Sequence, residues 1–339
     1  MLSVVVATYN RRELLLNLLT GLASQDLAKD KFDVVIVDDG SRVPVRPAVE
    51  AQDWPFKYRI LEQENAGQAA ARHAGLELAA ASDVVTIVDD DMTVPTHFLR
   101  AHLAYHERGY RVVLGHIRPA PELRTRPLFE RFHTAQIERF VADMRRPGVV
   151  PDGAKFFTGN VSLRPSDYFK AGGFDRSLAQ SEDRDLGIRL ELLSASFIFA
   201  EDAYTINGSD QTDLEGWLRR AYRYGIYDSR IAAKYPQLRY IDPWAFLEHA
   251  NIAAQPLFAL AVASPAVAHR LSRLAMSVSA LVDTRGLEAL ALKGTTIAYG
   301  LEYFSGVRDE AGSLRRALGS CRRYFEKPAS PPTAVTSNA

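Results

Sequence analysis

The chain has 339 residues, 47% of them hydrophobic, with 41 basic and 41 acidic side chains and one cysteine, Cys321. That length fits one large domain or two smaller ones, and the apolar content excludes wholesale disorder. Zero formal net charge gives no global attraction to nucleic acid or an anionic membrane, while a single cysteine excludes an internal disulfide or a cysteine metal cluster and fits a reducing, cytoplasmic setting.

The opening "MLSVVVATYN" has neither a basic region nor a small-residue cleavage site, and reads as a first β-strand, not a signal peptide. "NRRELLLNLLTGLASQ" puts Leu14, Leu15, Leu18, Leu19 and Leu22 on one helical stripe, with Asn10 as a candidate N-cap and Glu13 three residues on. "FDVVIVDDGS" is a second buried strand ending in a turn. "YRILEQE" is a third strand, "GQAAARHAGLELAAA" an Ala-rich helix, and "SDVVTIVDDD" the next strand. Strands alternating with helices of this length imply βαβ units and a mostly parallel sheet, an α/β fold.

After Pro95 the pattern is mixed. "THFLRAHLAYHERG" and "PLFERFHTAQIERFVADMRR" read as helices, and "RVVLGHIRP" and "FFTGNVSLRP" as strands. "SEDRDLGIRLELLSA" is helical, with Ser181 as candidate N-cap and Leu186, Leu190 and Leu193 on one stripe. From Asp213 onward only helical patterns occur. The expected organisation is a domain over 1–235, with halves 1–117 and 118–235, a helical subdomain over 236–326 and a disordered tail over 327–339. No segment has 18 uninterrupted apolar residues, so no transmembrane helix is expected.

Three consecutive acids, Asp89, Asp90 and Asp91, end the fourth strand. Like charges about 4 Å apart repel by about 1 kcal/mol in water and more near a protein surface, so they need separation, solvent or a cation. Strand alternation sends Asp89 and Asp91 to one side and Asp90 to the other. A D-x-D pair of hard oxygen ligands suits Mg²⁺ or Mn²⁺, with water and phosphate completing the shell. The bland alternative is a solvated acidic turn. Ligands of open parallel sheets bind beyond the carboxyl ends of the strands, where Thr8, Asp38, Asp39 and Asp91 would share one rim.

The segments "VVVATYNR", "VIVDDGS", "NAGQAAARHAG", "IVDDD", "FTGNVSLRP", "GGFD" and "SEDRDLGIRL", in this order, resemble the family 2 glycosyltransferases, which have the GT-A fold. The match runs from residue 3 to about residue 225. The resemblance implies an inverting transferase that moves a sugar from a nucleotide diphosphate donor, most often UDP-linked, with Mg²⁺ or Mn²⁺ as cofactor. Thr8, with Tyr9, Asn10 and Arg11 beside it, would line the base pocket. Asp38 or Asp39 would bind the base, Asp39 being preferred because Asp38 can brace the turn. Arg72 would stabilise that acid or the diphosphate. Asp89 and Asp90 would face the donor, and Asp89 and Asp91 would hold the metal. Gly159 and Asn160 would lie beneath the donor sugar. Asp183 would be the general base, with Glu182 as its alternative or partner. Its place at a helix N-terminus is expected to keep it ionised at neutral pH.

Two features depart from the family pattern. His73 stands where Asn is common, and the downstream His that helps hold the metal or diphosphate is absent from "AYTINGSDQT", where Asn207 or Asp210 would substitute. His97, His102, His106, His116 and His133 lack ligand spacing and read as structural. Trp217, Arg219 and Arg220 read either as a lid over the phosphates or as an amphipathic helix. Two other readings compete: a non-catalytic sugar-nucleotide-binding protein, and a sugar nucleotidyltransferase, although the Gly-rich loop of the latter is missing. The acceptor is a saccharide, lipid carrier, protein or small metabolite. The C-terminal helices, above all the basic "SLRRALGSCRRYF", read first as a packed helical subdomain, with a peripheral membrane contact or a homodimer as the alternative.

Overall fold

A computed structural model describes residues 1–122, 125–208 and 213–326. The expected disordered tail, 327–339, and the candidate ligand Asp210 lie outside the described residues. The chain divides into two compact units, Met1–Pro121 with Arg139–Ser209, and Glu122–Glu138 with Asp210–Ala339.

In chain order the elements of the first unit are β1 (Leu2–Thr8), α1 (Arg12–Ala23), β2 (Phe32–Asp38), α2 (Arg46–Glu50), β3 (Lys57–Glu62), α3 (Gln68–Leu78), β4 (Val84–Val88), β5 (Met92–Thr93), α4 (Phe98–Glu107) and β6 (Val112–Pro119). α5 (Leu128–Met144) has its first turns in the second unit and its last in the first. β7 (Asn160–Leu163), α6 (Pro165–Lys170), α7 (Glu182–Leu192) and β8 (Phe197–Asn207) complete the first unit. One eight-stranded sheet runs in the order β3-β2-β1-β4-β7-β6-β8-β5. β3, β2, β1 and β4 are parallel, and β7 joins them antiparallel.

The parallel half follows from composition. β2 is buried along its whole length, as a strand covered on both faces must be. Leu15, Leu18, Leu19 and Leu22 of α1 pack into one core with Val4, Val6, Val34 and Ile36. The first turn differs from expectation. Asn10 is not the N-cap; Arg11 occupies that position without a side-chain cap bond. Asn10 sits at φ +57°, with its amide donating to Ser41 Oγ and its Oδ1 accepting from the Arg42 amide, each at 2.8 Å. The side chain therefore ties the turn after β2 to the turn after β1. Leu193 leaves the expected stripe of α7: Leu186 and Leu190 are buried, whereas Leu193 is exposed.

β5 and β8 have no counterpart in the sequence reading. In β8 the exposed pair Glu201 and Asp202 interrupts the apolar pattern. There the pairing with β6 slips, from Gly115↔Ala200 to Ile117↔Thr205. A strand that bulges loses the period by which strands are recognised.

The second unit's further helices are α8 (Leu214–Lys234), α9 (Phe246–His249), α10 (Gln255–Ala263), α11 (Pro265–Asp283), α12 (Glu288–Glu310) and α13 (Leu314–Glu326). No described helix is long and apolar enough to cross a membrane. Trp217 is a core residue here, packed with Phe129, Phe132, Met276 and Ala298, and not a free lid. Arg219 is exposed and paired with Asp213 at 3.5 Å. α8 and α12 cross where each offers a glycine: Gly225 faces the Tyr303 carbonyl and Gly306 faces the Tyr222 carbonyl. A Cβ at either position would overlap backbone oxygen. Gly225→Ala should therefore destabilise the protein by about 2 kcal/mol or more, read as a lowered midpoint in urea denaturation. An unchanged midpoint would show that the two helices do not approach this closely.

Candidate active site

The rim of the parallel strands is laced together by backbone. The Asp39 amide donates to the Thr8 carbonyl (2.9 Å) and the Gln63 amide to the Asp38 carbonyl (3.0 Å). Asp38 Oδ1 and Oδ2 accept from the amides of Ser41 (2.9 Å) and Val45 (3.0 Å), so Asp38 braces its own turn. Asp39 Oδ1 accepts from Gln63 Nε2 (2.7 Å) and the Ala66 amide (2.9 Å), and Oδ2 from the Gly67 amide (3.0 Å). The buried Asp39 thus shapes the loop that starts α3. Carboxylate oxygens have two lone pairs each, so it can still accept from a ligand.

The three acids are not on a strand. β4 stops at Val88, and Asp89–Asp91 form a turn closed by the Met92 amide donating to the Asp89 carbonyl (3.2 Å). The strand-alternation expectation for them therefore fails. Asp90 and Asp91 share one cation, Arg11 Nη1, at 3.3 and 3.2 Å. Asp90 also accepts from Thr8 Oγ1 (2.7 Å), so the Thr8 hydroxyl is directed to Asp90. Asp89 turns to a different cation, Arg72.

Arg72, on α3, is buried between two carboxylates: Nη2 donates to Asp89 Oδ1 (2.5 Å) and Nη1 to Glu182 Oε1 (3.0 Å). These partners stand 17 positions after it and 110 positions after it in the chain. One guanidinium thus connects the triple-acid turn to the first turn of α7. A buried arginine needs such partners, because an unpaired charge away from water is costly.

Asp183 follows Glu182. Its Oδ1 accepts from the Arg184 amide (2.7 Å), and no side chain among the described residues donates to it. Burial, with the charge of Glu182 adding to it, pushes its pKa up to about 7, against the pull of Arg72. The expectation of full ionisation at neutral pH is corrected accordingly: burial outweighs the helix N-terminus. Ser181 occupies the N-cap position at φ +62° without a side-chain cap bond. Asn10 and Ser181, two of the three non-glycine residues with positive φ among the described residues, stand at the entrances to α1 and α7. Strained backbone of this kind gathers at functional sites.

Burial also drives the Asp91 pKa up to about 7, with the Asp89 charge next in effect, and raises that of Asp90. Asp91 Oδ1 is buried without a hydrogen-bond partner among the described residues. An orphaned carboxylate oxygen beside a second acid suits a hard divalent cation. No cluster of three or more His, Cys, Asp or Glu side chains gathers to hold one among the described residues, so water or substrate would supply the remaining ligands. The end of β8 adjoins this turn: the Gly208 amide donates to the Asp91 carbonyl (2.8 Å), and Asn207 pairs in register with Met92.

Gly159 faces the same acids. A Cβ there would stand 3.2 Å from Asp89 Oδ2 and 3.3 Å from Met92 Cε. Asn160, expected under the donor sugar, turns its side chain inward. Its Nδ2 donates to the Ala203 carbonyl (2.9 Å), and its Oδ1 meets His102 Nε2 (2.9 Å). His102 and His106 both contact Ser162 Oγ (2.8 Å), and burial lowers their pKa values to about 3 and about 4. These neutral histidines belong to the sheet's interior. His73 meets the Tyr168 hydroxyl (2.7 Å), tying α3 to α6. Arg189 pairs with Asp185 (2.7 Å) and donates to the Gly173 carbonyl (2.6 Å), steadying α7. Tyr9 is exposed.

Residues 3–170 match the family described as Glycosyl transferase family 2. Among curated proteins, validoxylamine A glucosyltransferase of Streptomyces hygroscopicus subsp. jinggangensis is 34% identical over 243 residues, covering 63% of this chain and 57% of that protein. The pre-mycofactocin glycosyltransferase of Mycobacterium tuberculosis is 27% identical over 247 residues, covering 69% of this chain and 48% of its own length. The chain thus spans about half the length of these relatives. Among solved structures, a mannosyltransferase from Pyrobaculum calidifontis in complex with GDP-Man and Mn²⁺ superposes with TM-score 0.60 at 20% identity, covering 89% of this chain and 86% of that one. Staphylococcus aureus TarS superposes with TM-score 0.51 at 19% identity, covering 89% and 54%. The fold is GT-A, and the chain belongs to glycosyl transferase family 2 through the domain at residues 3–170.

Proposed function

We propose that the protein is an inverting glycosyltransferase that moves a sugar from a nucleoside diphosphate donor, a UDP-sugar first among the candidates, to an acceptor hydroxyl. The observation that carries this reading is the double ion pair of Arg72, which holds Asp89 and Glu182, and with them Asp183, around one cation. The likeness to a mannosyltransferase that holds GDP-Man and Mn²⁺ supports a nucleotide-sugar donor.

Asp183 takes the acceptor proton as the acceptor oxygen bonds to the anomeric carbon. The bond from that carbon to the diphosphate breaks, and its electron pair leaves with the diphosphate. A base whose pKa burial raises towards neutrality holds a proton better than an ordinary carboxylate, the direction that favours general-base catalysis. Glu182 is engaged by Arg72, which leaves Asp183 to meet the acceptor. A divalent ion held by Asp91 and Asp89 would supply positive charge against the leaving diphosphate. Asp39 accepts from the base, and the bare backbone at Gly159 lets Asp89 and Met92 pack against it, where a Cβ would crowd Asp89.

Asp183→Asn should lower donor hydrolysis or transfer by roughly a thousandfold while leaving donor affinity within about twofold. The wild-type rate should climb with pH through about 7 and level off above it. An Asp183→Asn variant that turns over like wild type would overturn the assignment, whereas loss of donor binding as well would make the residue a binding group.

Stability should move the other way. The folded pKa of Asp183, about 7, lies above its ordinary value of 3.8. Its protonated form therefore favours folding at low pH, and that contribution is lost as pH rises from about 4 through about 7. Asp183→Asn removes the penalty, so its melting temperature should exceed that of wild type above pH 7 by a few degrees. The two should converge near pH 4. Equal melting temperatures across this range would mean the carboxyl is not perturbed.

A further inference from the structure

α11 has two apolar sides. Ala268, Ser272, Met276 and Ser279 face inward and are buried. On the opposite side Val267, Leu274, Val278 and Leu281 are exposed, the last three keeping 58%, 52% and 56% of their surface in water. With the half-buried Leu271, these residues recur at intervals of four and three from 267 to 281, which lays them along one seam of a helix. The seam is about 21 Å long at about 1.5 Å per residue. Beyond the turn at Gly286, Leu287 and Leu290 are exposed as well. Isolated surface aliphatics need no explanation, but a continuous stripe of them marks a contact surface.

The charges around the stripe indicate the partner. Arg270 and Arg285 lie near its two ends, and Lys293 lies a turn beyond Leu290. None of the three has an ion pair among the described residues. The nearby acids are already engaged: Asp283 and Glu288 both pair with Arg131, and Glu215 pairs with Arg273. The face is therefore apolar with a cationic rim and no free anion among the described residues. A second copy laid along it, in either direction, would bring arginines against arginines. An anionic bilayer surface supplies both an apolar layer and the missing counter-charge. No described helix is suited to cross a membrane, which leaves α11 to lie in the interfacial plane.

We propose that the outer face of α11, Val267 to Leu281 with Arg270 and Arg285, docks the protein on an anionic lipid surface. The sequence pointed instead to α13, where Ala317 and Tyr324 are buried and Leu314, Leu318 and Phe325 are exposed, a shorter stripe than that of α11. This proposal does not depend on the transferase reading, because its test reads no chemistry.

The test is flotation of the full chain with vesicles of phosphatidylcholine alone, or of phosphatidylcholine with phosphatidylglycerol. Wild type should float roughly tenfold better with the anionic vesicles, and high salt should weaken this. Leu274→Glu/Leu281→Glu should lose flotation with an unchanged melting temperature, since both positions are exposed. Arg270→Glu/Arg285→Glu should lose the preference for anionic lipid. Three outcomes would overturn the proposal. Wild type could stay unbound with both vesicles, or the leucine variant could float like wild type. Sedimentation could also show a dimer abolished by the leucine substitutions in a protein that ignores lipid, which would assign the face to a second copy.

Discussion

The guanidinium of Arg72, buried between Asp89 and Glu182, is the interaction on which the site depends. It joins the carboxyl end of the parallel half-sheet to a helix that begins 110 residues later in the chain than the arginine. Breaking such a pair leaves a buried charge without a partner, which costs several kcal/mol, so the two acidic segments are held in one arrangement. The energy that fixes the site is thus partly independent of the apolar core beneath it.

Burial then sets the chemistry. Asp91 and Asp183 carry pKa values raised to about 7, each because low polarity and a neighbouring carboxylate oppose ionisation. Two acids raised by similar means are suited to different tasks. Asp91 has an oxygen that no group among the described residues satisfies, so a cation would relieve it. Among the described residues Asp183 accepts only from its neighbour's amide, which is what the proposed base requires. Groups of this kind are destabilising where they stand, which is common where function is built.

Much of this was legible in the sequence because it follows from period and composition. The apolar runs of β1, β2 and β4, and the leucines of α1, declare a parallel sheet and its first helix without further information. The acids at the strand ends were visible as an excess of charge in an expensive position. What the sequence hid was side-chain direction. Strand alternation paired Asp89 with Asp91, but the chain turns at Asp89, and the partner cations Arg11 and Arg72 decide where each carboxylate points. Asn160 looked like a site residue until its amide was found among His102, Ala203 and the sheet interior. The bulged β8 was hidden by its own irregularity. Trp217, read either as a lid or as part of an amphipathic helix, takes the second role, surrounded by Phe129, Phe132 and Met276. In each case a long-range contact overrode the local pattern.

The central claim is that these carboxylates form one binding site for a metal-bridged diphosphate. Calorimetric titration of UDP into the protein, with and without Mn²⁺, addresses it directly, with Asp91→Asn as the control. The account predicts saturable binding by wild type that strengthens at least tenfold with Mn²⁺, and an Asp91→Asn variant in which that gain disappears. Binding by neither UDP nor GDP, or a Mn²⁺ gain that survives in Asp91→Asn, would contradict it.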